Sequence, residues 1–240
     1  MAKLLDIEGT TTSIAFVYDT LFPFARAHLE SFLARNWQTP GVQDDLQAFR
    51  SLAAEDAAAG RVVPPIEPDH AGPDAVRNSL VRNVLAQMDG DRKTTALKSL
   101  QGRIWKDGYA NGELKGHVYP DVAPALRRWN DAGEPVYIYS SGSIAAQKLL
   151  FGASEAGDLL PLIDGHFDTT TGPKKEAASY AAIARELGVA PSDVTFVTDN
   201  IDEARAADDA GMVAVLSVRP GNPELPEHSF REIRSFDELD

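Results

Sequence analysis

Residues 194–217 read VTFVTDNIDEARAADDAGMVAVLS, and this stretch decides the fold. Val194–Thr198 is a short run of apolar and β-branched residues, which predicts a buried strand. Asp202 to Ala210 follows as a helix, with Asp202 and Glu203 favouring its positive N-terminal end. Met212 to Ser217 is a second buried strand. Working outward, Lys175 to Leu187 reads as a helix and His166 to Asp168 as a short strand. Pro135-Val-Tyr-Ile-Tyr-Ser140 is a buried strand, and a helix over Asp121–Asp131 ends at Gly133. At the far end, Lys3 to Ile7 is a short apolar strand that stops at Gly9. Strands alternating with helices predict an α/β fold, a doubly wound parallel sheet with helices on both faces.

The rhythm fails between Thr12 and Lys115, where no strand is predicted. Leu21, Ala25, Leu29 and Phe32 recur at helical spacing within Thr20–Asn36. Further helices are expected over Val42–Ala59, around Val76–Met88 and over Thr94–Tyr109, with a proline-rich loop at Val62–Pro73. The chain therefore divides into an α/β core, residues 1–12 and 117–240, and an inserted all-helical cap, residues 13–116. It has no internal repeats.

Composition narrows the function. A net charge of −13 opposes binding to nucleic acid, and no basic patch offsets it. No apolar run is long enough for a membrane span, and MAKLLDIEGT lacks the pattern of a signal peptide. With no cysteine, disulfides and thiolate metal sites are excluded. A cytoplasmic monomer acting on a small molecule is expected. An anionic substrate would need local positive charge from a metal, a lysine or a helix N-terminus.

In open α/β sheets, ligands bind beyond the carboxyl ends of the strands. Those ends carry Asp6 and Glu8, then Ser140 and Ser141, then Lys174 and Lys175 in a loop, then Asp199. Alternation along a strand would set Asp6 and Glu8 on one side, about 7 Å apart. Each feature alone is commonplace: a helix cap, a turn, a solvated charge. Their order is the informative signal.

That order resembles the haloacid dehalogenase superfamily of phosphohydrolases, whose first strand ends in Asp-x-Asp. Glu8 departs from the majority pattern, and LLDIEGTTTSI is instead similar to the enolase-phosphatase branch. So are GRIWKDGYANGELKGHVYPDV, VYIYSSGSIAAQKLLFG, GPKKEAASY, FVTDNIDEARAA and SVRPGN, which together span almost the whole chain. The resemblance implies a haloacid dehalogenase-like core and a bifunctional, Mg²⁺-dependent enzyme of methionine salvage. It would convert 2,3-diketo-5-methylthiopentyl-1-phosphate to the acireductone 1,2-dihydroxy-3-keto-5-methylthiopentene plus phosphate.

The implied roles follow residue by residue. Asp6 attacks phosphorus and forms an aspartyl-phosphate, and Glu8 serves as general acid and base. Ser140 or Ser141 holds phosphoryl oxygens, and Lys174 offsets their charge, although Lys175 is adjacent. One Mg²⁺ per subunit is held by Asp6, Asp199 and the backbone carbonyl of Glu8. The cap would close over the site, with Arg103, Trp105, Tyr109 and Lys115 its first candidates for reading the substrate. Other readings are a related phosphatase of a sugar phosphate or phosphoglycolate, a receiver-type signalling module, and a plain binding protein. A receiver has no need of an acid/base such as Glu8 or of a long helical insertion.

Overall fold

The computed structural model describes residues 1–239. Six strands form one parallel sheet in the order β3-β2-β1-β4-β5-β6. They are β1 (Ala2–Leu5), β2 (Val136–Tyr139), β3 (Gly165–Phe167), β4 (Val194–Thr198), β5 (Val213–Ser217) and β6 (Arg231–Ile233). The chain lays β2 and β3 to one side of β1, then returns to lay β4, β5 and β6 on the other. The sheet's direction of growth thus reverses at β1 and β4, the position where connections splay apart and leave a crevice.

Both faces of the sheet are covered. Leu4, Tyr139, Phe196 and Leu216 pack against Tyr180, Ile183 and Ala184 of α7 (Ala177–Leu187) and Ala204 and Ala207 of α8 (Ile201–Asp209). On the other face, α5 (Val122–Asp131) packs on β2, the strand that α6 (Ile144–Gly152) follows in the chain. There Lys3 Nζ lies 5.7 Å from the centre of the Trp129 ring and pairs with Glu134 at 3.0 Å. Two covered faces explain why β1, β2 and β4 are buried along almost their whole length rather than at every second residue. The edge strand β6 was not foreseen. It has three residues, only Ile233 of which is buried, so it carries no apolar period.

Thr20–Asn111 forms a separate compact unit, and Met1–Asp19 groups with the chain from Gly112 on. Residues 13–19 and 112–116, read from the sequence with the insertion, are tied to the α/β unit by specific contacts. Gly116 N–H donates to Ala153 O at 2.8 Å, and the Phe16 and His117 rings lie 5.9 Å apart. Lys115 therefore belongs to the α/β unit and is exposed.

The helical unit contains α1 (Phe22–Asn36), α2 (Pro40–Ala58), α3 (Pro73–Asp89) and α4 (Thr95–Ala110). Proline opens α2 and α3, where its missing N–H costs nothing. Thr94 caps α4 by accepting from Leu97 N–H. A π-helical turn, Phe16–Leu21, leads into α1. The unit's core includes Leu29, Leu33, Phe49, Leu80, Val84, Leu100 and Ile104. No described helix is long and apolar enough to cross a membrane.

Candidate active site

Asp6 is the first residue after β1. Its N–H continues the ladder by donating to Val197 O at 2.9 Å, so the sheet itself sets its position beside β4. The side chain is buried. Lys174 Nζ donates to Asp6 Oδ1 at 2.6 Å and lies 2.6 Å from Glu203 Oε2. Thr198, the last residue of β4, puts its hydroxyl 3.1 Å from Asp6 Oδ2 and 3.0 Å from Glu203 Oε2. That hydroxyl has one proton and can serve only one of the two at a time. A proton on Glu203 would satisfy the second contact. Burial, followed by the charge of Asp6, pushes the Glu203 carboxyl upward in keeping with this.

The loop carrying Lys174 is fixed by three hydroxyls. Tyr139 donates to Gly172 O at 2.9 Å, Ser179 to Pro173 O at 2.7 Å and Tyr180 to Lys174 O at 2.6 Å. A Cβ on Gly172 would lie 2.3 Å from Ser179 Oγ, so the loop can approach α7 this closely only with glycine there. Burial opposes the Lys174 charge, but Asp6 and Glu203 together raise its pKa above the usual lysine value. Lys175 points elsewhere: it is exposed and pairs with Asp202 at 2.8 Å. Of the two lysines, Lys174 is the one beside Asp6.

Asp199 follows β4. A Cβ on Gly9 would lie 2.2 Å from Asp199 Oδ2, so the loop after β1 rests directly against this carboxylate. Burial, then the charges of Asp6, Glu203 and Glu8, push Asp199 up to about 7, against the lowering effect of Lys174. The cluster thus sets several acids against one lysine. Neutralising it further takes a proton or a cation. Among the described residues, no three acid or histidine side chains are grouped to hold a metal by themselves. Asp6 and Asp199 offer the one or two carboxylates that an Mg²⁺ ion takes before completing its sphere with carbonyl, water and phosphate oxygens. The donor set at the end of β1 and β4 is all oxygen and fits that ion.

Glu8 does not lie in a strand. β1 ends at Leu5, and Ile7 O accepts from the N–H groups of Thr10, Thr11 and Thr12 at 3.2, 3.0 and 2.9 Å. Strand alternation therefore does not set the direction of Glu8; a tight turn does. Ser140 follows β2, is buried, and accepts from Gly142 N–H at 3.2 Å. Its own proton can then serve a phosphoryl oxygen. Ser141 is exposed.

Glu203 is the residue that the sequence reading assigned only to a helix terminus. The available signal was its register: Glu203, Ala204 and Ala207 share the buried face of α8, while Asp202 faces outward. In the helical unit, Arg103 Nε donates to Asp45 at 2.8 Å and Trp105 Nε1 to Leu21 O at 2.8 Å. Tyr109 Oη is buried without a hydrogen-bond partner among the described residues, and burial raises its pKa.

A sheet reversing at two strands that end in acids, with a buried lysine paired to Asp6 and Glu203 there, describes a class of hydrolase. Residues 2–211 match the family described as "Hydrolase: haloacid dehalogenase-like hydrolase". The chain is 52% identical to the "Enolase-phosphatase E1" of Synechococcus elongatus, over 98% of this chain and 96% of that one. It is 49% identical to the "Probable bifunctional methylthioribulose-1-phosphate dehydratase/enolase-phosphatase E1 1" of Vitis vinifera, over 98% of this chain and 46% of that one. The crystal structure of the UTR4 protein of Saccharomyces cerevisiae is similar at a TM-score of 0.79 and 34% identity, covering 98% of both chains. The chain belongs to the haloacid dehalogenase-like hydrolases and, within them, to the enolase-phosphatase E1 family.

Proposed function

We propose that the chain is a phosphatase in which Asp6 is the covalent nucleophile. Its proposed substrate is 2,3-diketo-5-methylthiopentyl-1-phosphate, which it enolises and dephosphorylates to the acireductone in methionine salvage. The observation that carries the reading is Lys174 Nζ, buried 2.6 Å from both Asp6 and Glu203 at the point where the sheet reverses. The 52% identity to a named enolase-phosphatase along nearly the full chain supports the substrate.

In the proposed reaction an Asp6 oxygen attacks phosphorus as the ester P–O bond breaks, and Glu8 gives its proton to the leaving oxygen. Glu8 then takes a proton from water, whose oxygen attacks phosphorus. The bond from Asp6 to phosphorus breaks and releases phosphate. Such a general acid/base contributes about 10²–10⁴-fold. Lys174 offsets the charge gathered on the transferring group, and Ser140 donates to one of its oxygens. Asp6, Asp199 and the Glu8 carbonyl would hold Mg²⁺. The ion supplies positive charge to the phosphoryl oxygens and to an enolate.

With the diketone phosphate and Mg²⁺, phosphate and acireductone should appear in equal amounts, and excess chelator should stop both. Phosphate release without enolisation would leave a phosphatase only. Full activity in excess chelator would remove the metal from the reading.

A further inference from the structure

The segment Arg219-Pro-Gly-Asn222 follows β5 and touches none of Asp6, Lys174 or Asp199 by hydrogen bond. It nevertheless reaches the turn that carries Glu8. Asn222 Nδ2 donates to Gly9 O at 2.9 Å and lies 3.2 Å from Ser217 O, so one amide joins that turn to the end of β5. Arg219 Nε donates to Thr10 O at 3.2 Å. These are the two carbonyls immediately after Glu8, both held by residues more than two hundred positions away in sequence.

The anchor is itself rigid. Arg219 is buried, and its guanidinium lies 4.7 Å from the Tyr119 ring centre and 4.8 Å from that of Phe236. Its Nη2 pairs with Asp121 at 2.8 Å, and its Nη1 donates to Arg234 O at 2.7 Å. Asp121 in turn accepts from Phe236 N–H at 2.7 Å. A planar, always-charged fork with a contact at each of its three nitrogens presents Nε in one direction only. Gly9, at φ +67°, is in the left-handed region, so the turn's own backbone has conformational freedom that these bonds remove.

We infer that Asn222 and Arg219 are positioning residues that set the direction of Glu8 by holding the carbonyls of Gly9 and Thr10. The inference rests on the reading of Glu8 as the general acid and base. Glu8 stands on a turn whose strand has already ended, and these two donors hold the two carbonyls next to it, while Tyr119 N–H holds the following one, Thr11 O, at 3.0 Å. Asp6 needs no such help, because the ladder to Val197 holds it. Losing the anchor should therefore damage proton transfer and spare nucleophilic attack.

Leaving-group chemistry separates the two. An aryl ester such as p-nitrophenyl phosphate departs without needing a proton, whereas a primary alkyl phosphate needs one. Single-turnover phosphorylation by Asn222→Ser and by Glu8→Gln is compared with wild type on both esters, with Mg²⁺ and enzyme in saturating excess. Rate constants measured this way report folded molecules only, and Asn222→Ala replaces Asn222→Ser should the latter fail to fold. The expected result for Asn222→Ser is about a tenfold or greater loss of the single-turnover rate constant on the alkyl ester and less than about threefold on the aryl ester. Glu8→Gln should show the same pattern, more strongly. Equal losses on both esters for Asn222→Ser, or none on either, would overturn the positioning role while Glu8→Gln keeps its pattern. If Glu8→Gln itself fails to discriminate between the esters, the acid/base reading falls and the positioning inference falls with it.

Discussion

The helical unit and the α/β unit both bury carboxylates, and they treat them in opposite ways. In the helical unit Asp56 is fully buried and held by two arginines, Arg61 at 3.0 Å and Arg92 through a two-pronged pair. The Arg92 hydrogen bond, working against burial, holds the Asp56 carboxyl below its usual range. Asp45 is likewise matched by Arg103 at 2.8 Å and by the Ser99 hydroxyl at 2.6 Å. In the α/β unit, Asp6 and Glu203 share one lysine, and Asp199, near them without a lysine or arginine partner of its own among the described contacts, is pushed up to about 7. Paired charges of the first kind hold helices together. A deficit of positive charge among buried carboxylates, located where strands end, is the electrostatic pattern of a candidate functional site.

The strongest way to break this contrast is Asp6→Asn. The change is nearly isosteric, so the fold should persist while turnover of the diketone phosphate falls by roughly 10⁴-fold or more. No acid-stable phosphoenzyme should form. Near-normal turnover in a phosphate-release assay would refute the nucleophile.

Asp56→Ala should act in the opposite sense. It strands the mostly buried Arg92 beside a gap, while the exposed Arg61 turns to solvent, and should cost about 3 kcal/mol in urea unfolding. Site chemistry in the remaining folded enzyme should be unaffected. A stability loss below that of an ordinary surface change would mean that Asp56 is not a structural pair.

The third consequence concerns pH. The folded-state value for Asp199, about 7, lies above its ordinary 3.8. The metal-free folded state therefore holds an extra proton between those values, and its stability falls as pH rises through 7. A cation must displace the same proton, so Mg²⁺ affinity should rise about tenfold from pH 6 to pH 8. Calorimetric titration checks this, and affinity that is flat with pH would exclude Asp199 as the ligand that titrates.

The smallest expected effect belongs to Lys175→Ala. Lys175 is exposed and bonds only Asp202 among the contacts described, so turnover should stay within about twofold of wild type. Lys174→Ala should remove most activity. If the two variants fell equally in a steady-state assay, the distinction between the lysines would be wrong.

The fold was legible because it follows from local chemistry. β4 occupies Val194–Thr198, as its β-branched run predicts, and the helices of the insertion start and stop within a few residues of expectation. β6 escaped because a three-residue edge strand has no period, and the π-helical turn at Phe16–Leu21 leaves no mark in composition. The acids at the ends of β1 and β4 were equally visible, since strand ends are where open sheets place chemistry.

What remained depended on direction. Lys174 and Lys175 are chemically identical neighbours, and only the hydroxyls of Tyr139, Ser179 and Tyr180 decide which one enters the site. Asp202 and Glu203 differ by one position on α8, and helix rotation sends one to solvent and the other to Lys174. The carbonyls of Gly9 and Thr10, next to Glu8, are held by Asn222 and Arg219, which no local pattern connects to them. Residue type and spacing are local properties and can be read along the chain. Which side chain faces which is set by packing and by hydrogen bonds between distant segments, and these exist only once the sheet has closed around them.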